Sequence, residues 1–151
     1  MTQRNFVQMK RRVNQGFTLV EILIVVVILG ILAAIVIPQF NSSASQARDS
    51  SLRTNLKTIR LQIELYRAHH NDVPGLDSFK AQLTSYTDID GNTNATKTNV
   101  FKFGPYLQAF PDNPLTSSGT ISTGDAGDSD WYYDPDSGTF LANNSEEMRT
   151  Y

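Results

Sequence analysis

The segment from Phe17 to Ile37, FTLVEILIVVVILGILAAIVI, constrains the fold of this chain more than any other stretch. It is apolar from end to end except for Glu21 and two small polar or flexible residues, Thr18 and Gly30. At the rise of an α-helix such a run spans roughly 31 Å, which matches the hydrocarbon thickness of a lipid bilayer. The sequence therefore predicts a membrane-spanning helix over these residues.

The leader that precedes this segment, residues 1–16, carries basic residues and no acidic ones. Its charged side chains are Arg4, Lys10, Arg11 and Arg12. Because basic residues next to a membrane span stay on the cytoplasmic side, the leader is predicted to be cytoplasmic. The C-terminal part of the chain is then predicted to lie across the membrane, outside the cytoplasm.

Three interpretations of the apolar segment are open from the residues alone. A cleaved secretory signal needs small residues at its cleavage site, and the sequence IVIPQF at residues 35–40 lacks them. A plain membrane anchor leaves Glu21 unexplained, because a carboxylate inside a membrane helix is costly. Cleavage between Gly16 and Phe17 instead places Glu21 about one helical turn from a new α-amino group, whose opposite charge offsets part of that cost.

The residues around that bond resemble a known signal. Gly16-Phe17-Thr18-Leu19-Val20-Glu21 followed by the apolar run is similar to the class III signal of type IV pilins and type II secretion pseudopilins, over about residues 10–40. The resemblance implies that a prepilin peptidase cuts after Gly16 and N-methylates Phe17. It also implies that Glu21 pairs with the N-terminal amine of a neighbouring subunit in a helical filament. Gly30 and Pro38 stand where the family loosens this helix, and both residue types weaken helices.

Composition limits what the exported part can be. The chain has 151 residues, enough for one modest domain beyond the membrane segment. Loss of the leader removes four of the 13 basic residues and none of the 15 acidic ones, so the net charge falls from −2 to −6. An acidic protein is a poor nucleic-acid binder. The absence of cysteine disfavours the Gram-negative major pilins that are closed by a disulfide.

Residues 41–72 are predicted to continue the helix. Apolar side chains recur there at spacings of three and four, which is typical of a helix face directed at a core: Leu52, Leu56, Ile59, Ile63 and Tyr66. The charged side chains are predicted to lie on the opposite face of the helix, mainly in contact with solvent. Arg60 and Glu64 are spaced to form an ion pair on this charged face. His69 and His70 end the helix, and no third metal ligand stands near them in sequence.

Residues 73–151 are predicted to form a small domain of short elements. A short helix is expected within residues 76–86, followed by a turn-rich loop at 88–99. A hairpin is expected where WYY at 131–133 and TFL at 139–141 flank the turn sequence DPDSG. Because alternate strand residues share a face, Trp131 and Tyr133 are predicted to pack together on the helix.

This domain resembles, more loosely, the G-type pseudopilins of type II secretion. The similar stretches are Gly104-Pro105-Tyr106-Leu107, Asn113-Pro114, and Trp131-Tyr132-Tyr133-Asp134-Pro135 with Gly138. Many G-type pseudopilins bind calcium through an acidic loop in the C-terminal sheet. Here Asp125, Asp128 and Asp130 offer three carboxylates, a ligand type that suits a hard cation. The family's usual loop pattern is not recognisable, so a plain acidic surface loop is the alternative.

The predicted fold class is α+β, with a long N-terminal helix packed against a small C-terminal antiparallel sheet, as in pilins. The predicted regions are a cleaved leader at 1–16, a transmembrane and assembly helix at 17–40, its amphipathic continuation at 41–72, and an external head at 73–151. No enzyme signature is present: there is no Cys, no interpretable Ser-His-Asp grouping and no Gly-rich phosphate loop. No cofactor is expected, except that the binding of calcium is left open.

The predicted function is that of a structural subunit of a pseudopilus filament in type II secretion. The alternatives are a type IV pilus subunit for adhesion, motility or DNA uptake, and a membrane-tethered binding domain that does not polymerise. The resemblance implies these partners: further copies of the chain, prepilin peptidase, minor pseudopilins, an inner-membrane assembly platform, and lipid before assembly. It implies a single-pass inner-membrane protein with a periplasmic head, and a filament in the periplasm or at the cell surface.

Overall fold

A computed structural model describes residues 16–151, except for the side chains of Pro38 and Asn41. Residues 1–15, which include all four basic residues of the predicted leader, lie outside the described part. The elements are α1 (Leu19–His70), α2 (Phe79–Thr84), β1 (Tyr86–Thr87), β2 (Thr93–Asn94), β3 (Ile121–Ser122), β4 (Trp131–Tyr133), β5 (Phe140–Ala142) and a 3₁₀ turn (Met148–Thr150). The chain divides into two compact units, residues 1–42 and 43–151.

The first unit contains the apolar part of α1. An 18-residue window of this helix has a mean hydropathy of 3.3, and none of that window is buried. By length and composition, α1 is therefore able to cross a membrane, as the sequence predicts. The aliphatic side chains from Val20 to Ile37 are exposed because no described residue of the first unit packs on them.

The second unit has its core between α1 and the short elements that follow. The five predicted seam residues of α1, from Leu52 to Tyr66, are all at most 2% exposed, which confirms that this face is directed at the core. Aromatic residues of α2 and the sheet cover it. The rings of Phe79 and Phe140 lie parallel with centroids 5.5 Å apart, and the centroids of Phe79 and Tyr133 are 4.2 Å apart. Trp131 and Tyr133 are fully buried, as predicted.

The strands form two small sheets. β1 and β2 pair antiparallel, and β2 lies inside the segment predicted as a loop at 88–99. β4 and β5 form the predicted antiparallel hairpin, with Trp131 opposite Ala142 and Tyr133 opposite Phe140. β3 pairs parallel with β4, so this sheet is mixed, whereas a wholly antiparallel sheet was expected. The α+β pilin-like architecture is confirmed.

The charged face of α1 differs from its prediction as a solvated surface. The Arg60 guanidinium donates hydrogen bonds to the carbonyl oxygens of Phe140 and Tyr151, both at 2.9 Å. Arg67 donates to the carbonyl oxygen of Ser137, and it also pairs with Glu64 at 2.9 Å in place of the expected Arg60. Free carbonyls beside a helix attract guanidinium groups, so this face fixes the C-terminal segment against α1.

Candidate processing and assembly site

The predicted cleavage site precedes α1 directly. Residues 16–18 are not helical, and the helix begins at Leu19. Gly16 is exposed, and the side chain of Phe17 is 82% exposed. The peptide bond between Gly16 and Phe17 is therefore in accessible, non-helical backbone, as a protease substrate must be.

Thr18 and Glu21 form a reciprocal cap on the first turn of α1. The Glu21 carboxylate accepts hydrogen bonds from the backbone nitrogen and the hydroxyl of Thr18, both at 2.9 Å. The Thr18 hydroxyl oxygen in turn accepts a bond from the Glu21 backbone nitrogen at 3.2 Å. This is a capping box, which satisfies donors that the first turn of a helix leaves without partners.

From the sequence, Glu21 was predicted to pair with an α-amino group, of its own chain or of a neighbouring one, and no capping role was predicted for it. The capping box could have been found, because a Thr followed by a Glu three residues later, directly before an apolar run, is its signature. Pairing of Glu21 with the amine of a processed chain stays a prediction. The carboxylate is nevertheless held at the first helical turn, which is the end of the helix nearest to the predicted new N-terminus.

The two predicted loosening positions lie inside α1. An added Cβ at Gly30 would meet no heavy atom within 4 Å, apart from the helix's own nearby backbone. Position 38 is helical, and its side chain lies outside the described part of the structure. Gly30 therefore leaves an open patch on the helix surface.

The three predicted calcium ligands have different surroundings in the second unit. Asp128 accepts a hydrogen bond from the backbone nitrogen of Asp125 at 3.0 Å. Asp130 is only 6% exposed and accepts bonds from the nitrogen and hydroxyl of Thr120 at 2.7 and 2.6 Å. Burial raises its pKa, but the hydroxyl groups around it outweigh burial and lower the pKa to about 2. Asp130 thus serves to anchor the segment at residues 116–120.

Two residues that the sequence analysis did not identify hold the acidic loop at 124–130. The fully buried Asn143 donates hydrogen bonds to the carbonyl oxygen of Asp125 and the hydroxyl of Ser129, both at 2.9 Å. Arg149 donates to the carbonyl oxygen of Gly124 at 2.6 Å and to the side-chain oxygen of Asn143 at 2.8 Å. A guanidinium of the chain itself therefore binds a carbonyl oxygen of this loop.

Among residues 16–151, no group of three or more His, Cys, Asp or Glu side chains is placed to hold a metal ion. The predicted calcium ligands are not brought together as such a group. One oxygen that the loop presents, the Gly124 carbonyl, already accepts a hydrogen bond from Arg149. Calcium binding by these residues stays a prediction.

The two histidines at the end of α1 act as structural anchors. His69 and His70 both contact the hydroxyl of Tyr106, at 3.0 and 3.1 Å. His70 also contacts the Thr87 hydroxyl at 3.0 Å and the Ile89 carbonyl oxygen at 3.2 Å. Both ring nitrogens of His70 are thus engaged, and the pair binds the segment around β1 to the end of the helix.

Comparisons with known proteins place the chain. A family model described as "Prokaryotic N-terminal methylation motif" matches residues 11–37. The type II secretion system core protein G of Pseudomonas aeruginosa is 37% identical over 110 residues, covering 70% of this chain and 71% of that protein. The corresponding protein of Vibrio cholerae is 30% identical over 119 residues, covering 78% and 77%.

A second class of relative matches a shorter part of the chain. The type IV major pilin protein PilA of Myxococcus xanthus is 52% identical over 46 residues, which is 30% of this chain and 21% of that pilin. No solved structure gives a significant match. The methylation motif and the long apolar helix together indicate membrane anchoring. Because two core G proteins match more than two thirds of their length at 30% identity or above, the chain belongs to the type II secretion system core protein G family.

Proposed function

We propose that this chain is a structural subunit of a helical pseudopilus filament in type II protein secretion. The observation that carries the proposal is a single carboxylate, Glu21, at the first turn of an exposed apolar helix that follows an accessible Gly16–Phe17 bond. A prepilin peptidase cuts after Gly16 and methylates Phe17. The apolar helices then pack together, and Glu21 pairs with the amine of a neighbouring copy, because an unpaired charge among apolar helices is costly.

Location and orientation follow from the same features. The basic leader stays in the cytoplasm, α1 crosses the inner membrane once, and residues 73–151 form a periplasmic head. Lipid surrounds the apolar helix before assembly, and other copies replace the lipid in the filament. The filament extends into the periplasm or to the cell surface.

The other partners are prepilin peptidase, minor pseudopilins and an inner-membrane assembly platform. The protein is a structural component and not a catalyst, and its acidic surface does not favour nucleic acid.

A calcium ion held by Asp125, Asp128 and Asp130 is a separate proposal. It is tested by calcium titration of the metal-free protein, and unchanged spectra of the acidic loop would refute it.

The first experiment is Glu21→Val in the full chain in cells. Mass spectrometry follows removal of the leader, and crosslinking with blotting follows filament ladders. We expect cleavage between Gly16 and Phe17 to persist while the ladders disappear. Glu64→Val is the matched control, since Glu64 is another exposed glutamate of α1, and its ladders should remain.

Two outcomes would refute the proposal. If the wild type forms no ladders, or if Glu21→Val forms them equally well, the chain is a membrane-tethered domain that does not polymerise. The type IV pilus alternative rests on the similarity to PilA, which covers 46 residues. Deletion of the gene separates the two filament classes, because loss of secreted protein indicates a pseudopilus and loss of surface pili indicates a pilin.

A further inference from the structure

A cavity of about 450 Å³ lies beside the C-terminal end of α1, in the second unit. We call it the cation pocket. The residues that matter to its chemistry are Tyr66, His70, Asp72, Gln82, Asp90 and Gly91. None of these residues belongs to the predicted processing, assembly or calcium sites.

The hydroxyl of Tyr66 is the most unusual group of the cation pocket. Tyr66 is 2% exposed, and its ring stacks on His70 with centroids 4.0 Å apart. Its hydroxyl lines the pocket and has no hydrogen-bond partner among residues 16–151, so it opens into the pocket and is free to bind a ligand there. An oxygen in this position is an acceptor for a ligand that enters the pocket.

Two carboxylates give the pocket a negative potential. Asp72 and Asp90 are exposed, and within the described residues neither of them forms an ion pair. Burial, followed by Tyr106, Asp72 and Asp88, raises the pKa of the Tyr66 hydroxyl to about 12. Of these charges, Asp72 and Asp88 oppose further negative charge at this hydroxyl, and a negative potential of this kind attracts a cation.

The walls of the cation pocket are held rigidly. The Gln82 side chain accepts a hydrogen bond from the Gly75 nitrogen at 2.8 Å and donates one to the Gly91 carbonyl oxygen at 2.9 Å. Gly91 has a φ of +79°, and an added Cβ would lie 2.5 Å from the Tyr66 hydroxyl oxygen. A larger residue there would displace the hydroxyl, so the space beside it depends on this glycine.

Asp88 shapes the wall that carries Asp90 and does not compete for a ligand. Its carboxylate accepts hydrogen bonds from the backbone nitrogens of Asp90 and Asn92, at 3.0 and 2.9 Å. It also accepts one from the Asn92 side chain at 2.9 Å. The loop is thus closed on itself, and the Asp90 side chain remains exposed at the pocket.

We propose that this pocket binds an organic cation, namely an alkylguanidinium or alkylammonium group, between Asp72, Asp90 and the Tyr66 hydroxyl. Both groups carry several N–H donors and no acceptor, which fits two carboxylates and an unpartnered hydroxyl. A metal ion is a poorer fit, because no three ligating side chains converge among residues 16–151. Such a group comes either from a small amine or from a lysine or arginine of another copy of the chain.

The test uses ethylguanidinium as the probe and ethylurea as its neutral counterpart of similar shape. We expect ethylguanidinium to cause saturable chemical-shift changes at His70 and Gly91 in NMR spectra of the full chain in detergent micelles. Ethylurea should cause none. The double variant Asp72→Asn, Asp90→Asn should weaken binding about tenfold or more, because it removes both charges. Asp77→Asn is the control, since this exposed carboxylate lies outside the pocket.

Tyr66→Phe removes only the hydroxyl and keeps the buried ring, so it tests the acceptor without loss of the core. It should weaken ethylguanidinium binding while Asp77→Asn leaves it unchanged. Equal shifts with ethylurea, no saturation, or full affinity in the double variant would overturn the proposal. These outcomes do not depend on filament formation, so they are distinct from failure of the proposed function.

A second arm identifies the source of the cation. If a basic side chain of another copy fills the pocket, Asp72→Asn, Asp90→Asn weakens the crosslinked ladders in cells relative to Asp77→Asn. If a small amine fills it, the ladders are unchanged and cell extracts compete with ethylguanidinium. Both results support the binding chemistry and assign its ligand.

Discussion

Replacement of Asp130 by Asn should destabilise the head at neutral pH through one buried charge. Asp130 is 6% exposed, and its carboxylate receives two short bonds from Thr120. These and neighbouring hydroxyl groups lower the pKa of Asp130 from 3.8 to about 2. A difference of this size corresponds to about 2 kcal/mol of folding free energy, because each pKa unit is worth about 1.4 kcal/mol. Asp130→Asn should lose a similar amount at pH 7.

The pH dependence has a defined sign. Because the pKa of Asp130 is depressed in the folded state, its stabilisation is fully present above the unfolded value of 3.8. The stabilisation decreases as the pH falls through the folded value of about 2. The difference in stability between wild type and Asp130→Asn should therefore shrink as the pH is lowered from 4 to 2.

Urea unfolding of the full chain in neutral detergent measures this difference. Trp131 is the only tryptophan of the chain and is fully buried, so its fluorescence reports unfolding of the head. Asp77→Asn is the control, because it removes an exposed carboxylate of the same unit. A loss below about 0.5 kcal/mol at pH 7 would refute the reasoning, since surface substitutions have effects of that size. A difference that is unchanged at pH 2 would refute it equally.

Three further changes test other parts of the structure. Phe140→Ala removes a buried ring from the aromatic core and should cost about 3 to 5 kcal/mol in the same urea assay. Arg149→Met removes the guanidinium that binds the acidic loop and should accelerate hydrogen exchange of the Gly127 amide, whereas Lys57→Met should not. Thr18→Val removes the hydroxyl that accepts from the Glu21 amide, so that amide should exchange faster in micelles while helix content stays near the wild-type value.

The long helix and the hairpin could be predicted from the sequence because their signals are local. The apolar spacing from Leu52 to Tyr66 is periodic over four helical turns, and burial of all five residues follows from it. The hairpin is signalled by aromatic strands around a short turn that contains Pro135 and Gly138. In both cases neighbouring residues decide the outcome.

The arrangement of the acidic loop could not be predicted because it depends on distant residues. Arg149 lies 25 positions from Gly124 in sequence, and Asn143 lies 18 from Asp125. The parallel pairing of β3 with β4 has the same cause, since strands of two or three residues give almost no periodicity. The charged face of α1 was predicted to contact solvent. Its arginines instead bind carbonyl oxygens of residues 137–151, which are too distant in sequence to be recognised from the helix pattern.

Glu21 caps the first turn of α1, and we propose that it also pairs with a neighbouring copy during assembly. In the chain described here its carboxylate is engaged by Thr18, so helix capping alone accounts for a Glu at this position. Capping, however, needs only a first-turn acceptor and does not require a charge within an apolar segment that other copies or lipid must cover. A neutral glutamine also completes a capping box. Glu21→Gln should therefore keep the start of α1. The variant differs from wild type only in that it has no negative charge to pair with the predicted α-amino group of Phe17. Loss of filament ladders in Glu21→Gln would assign the charge to assembly, and ladders of wild-type strength would leave capping as its entire role.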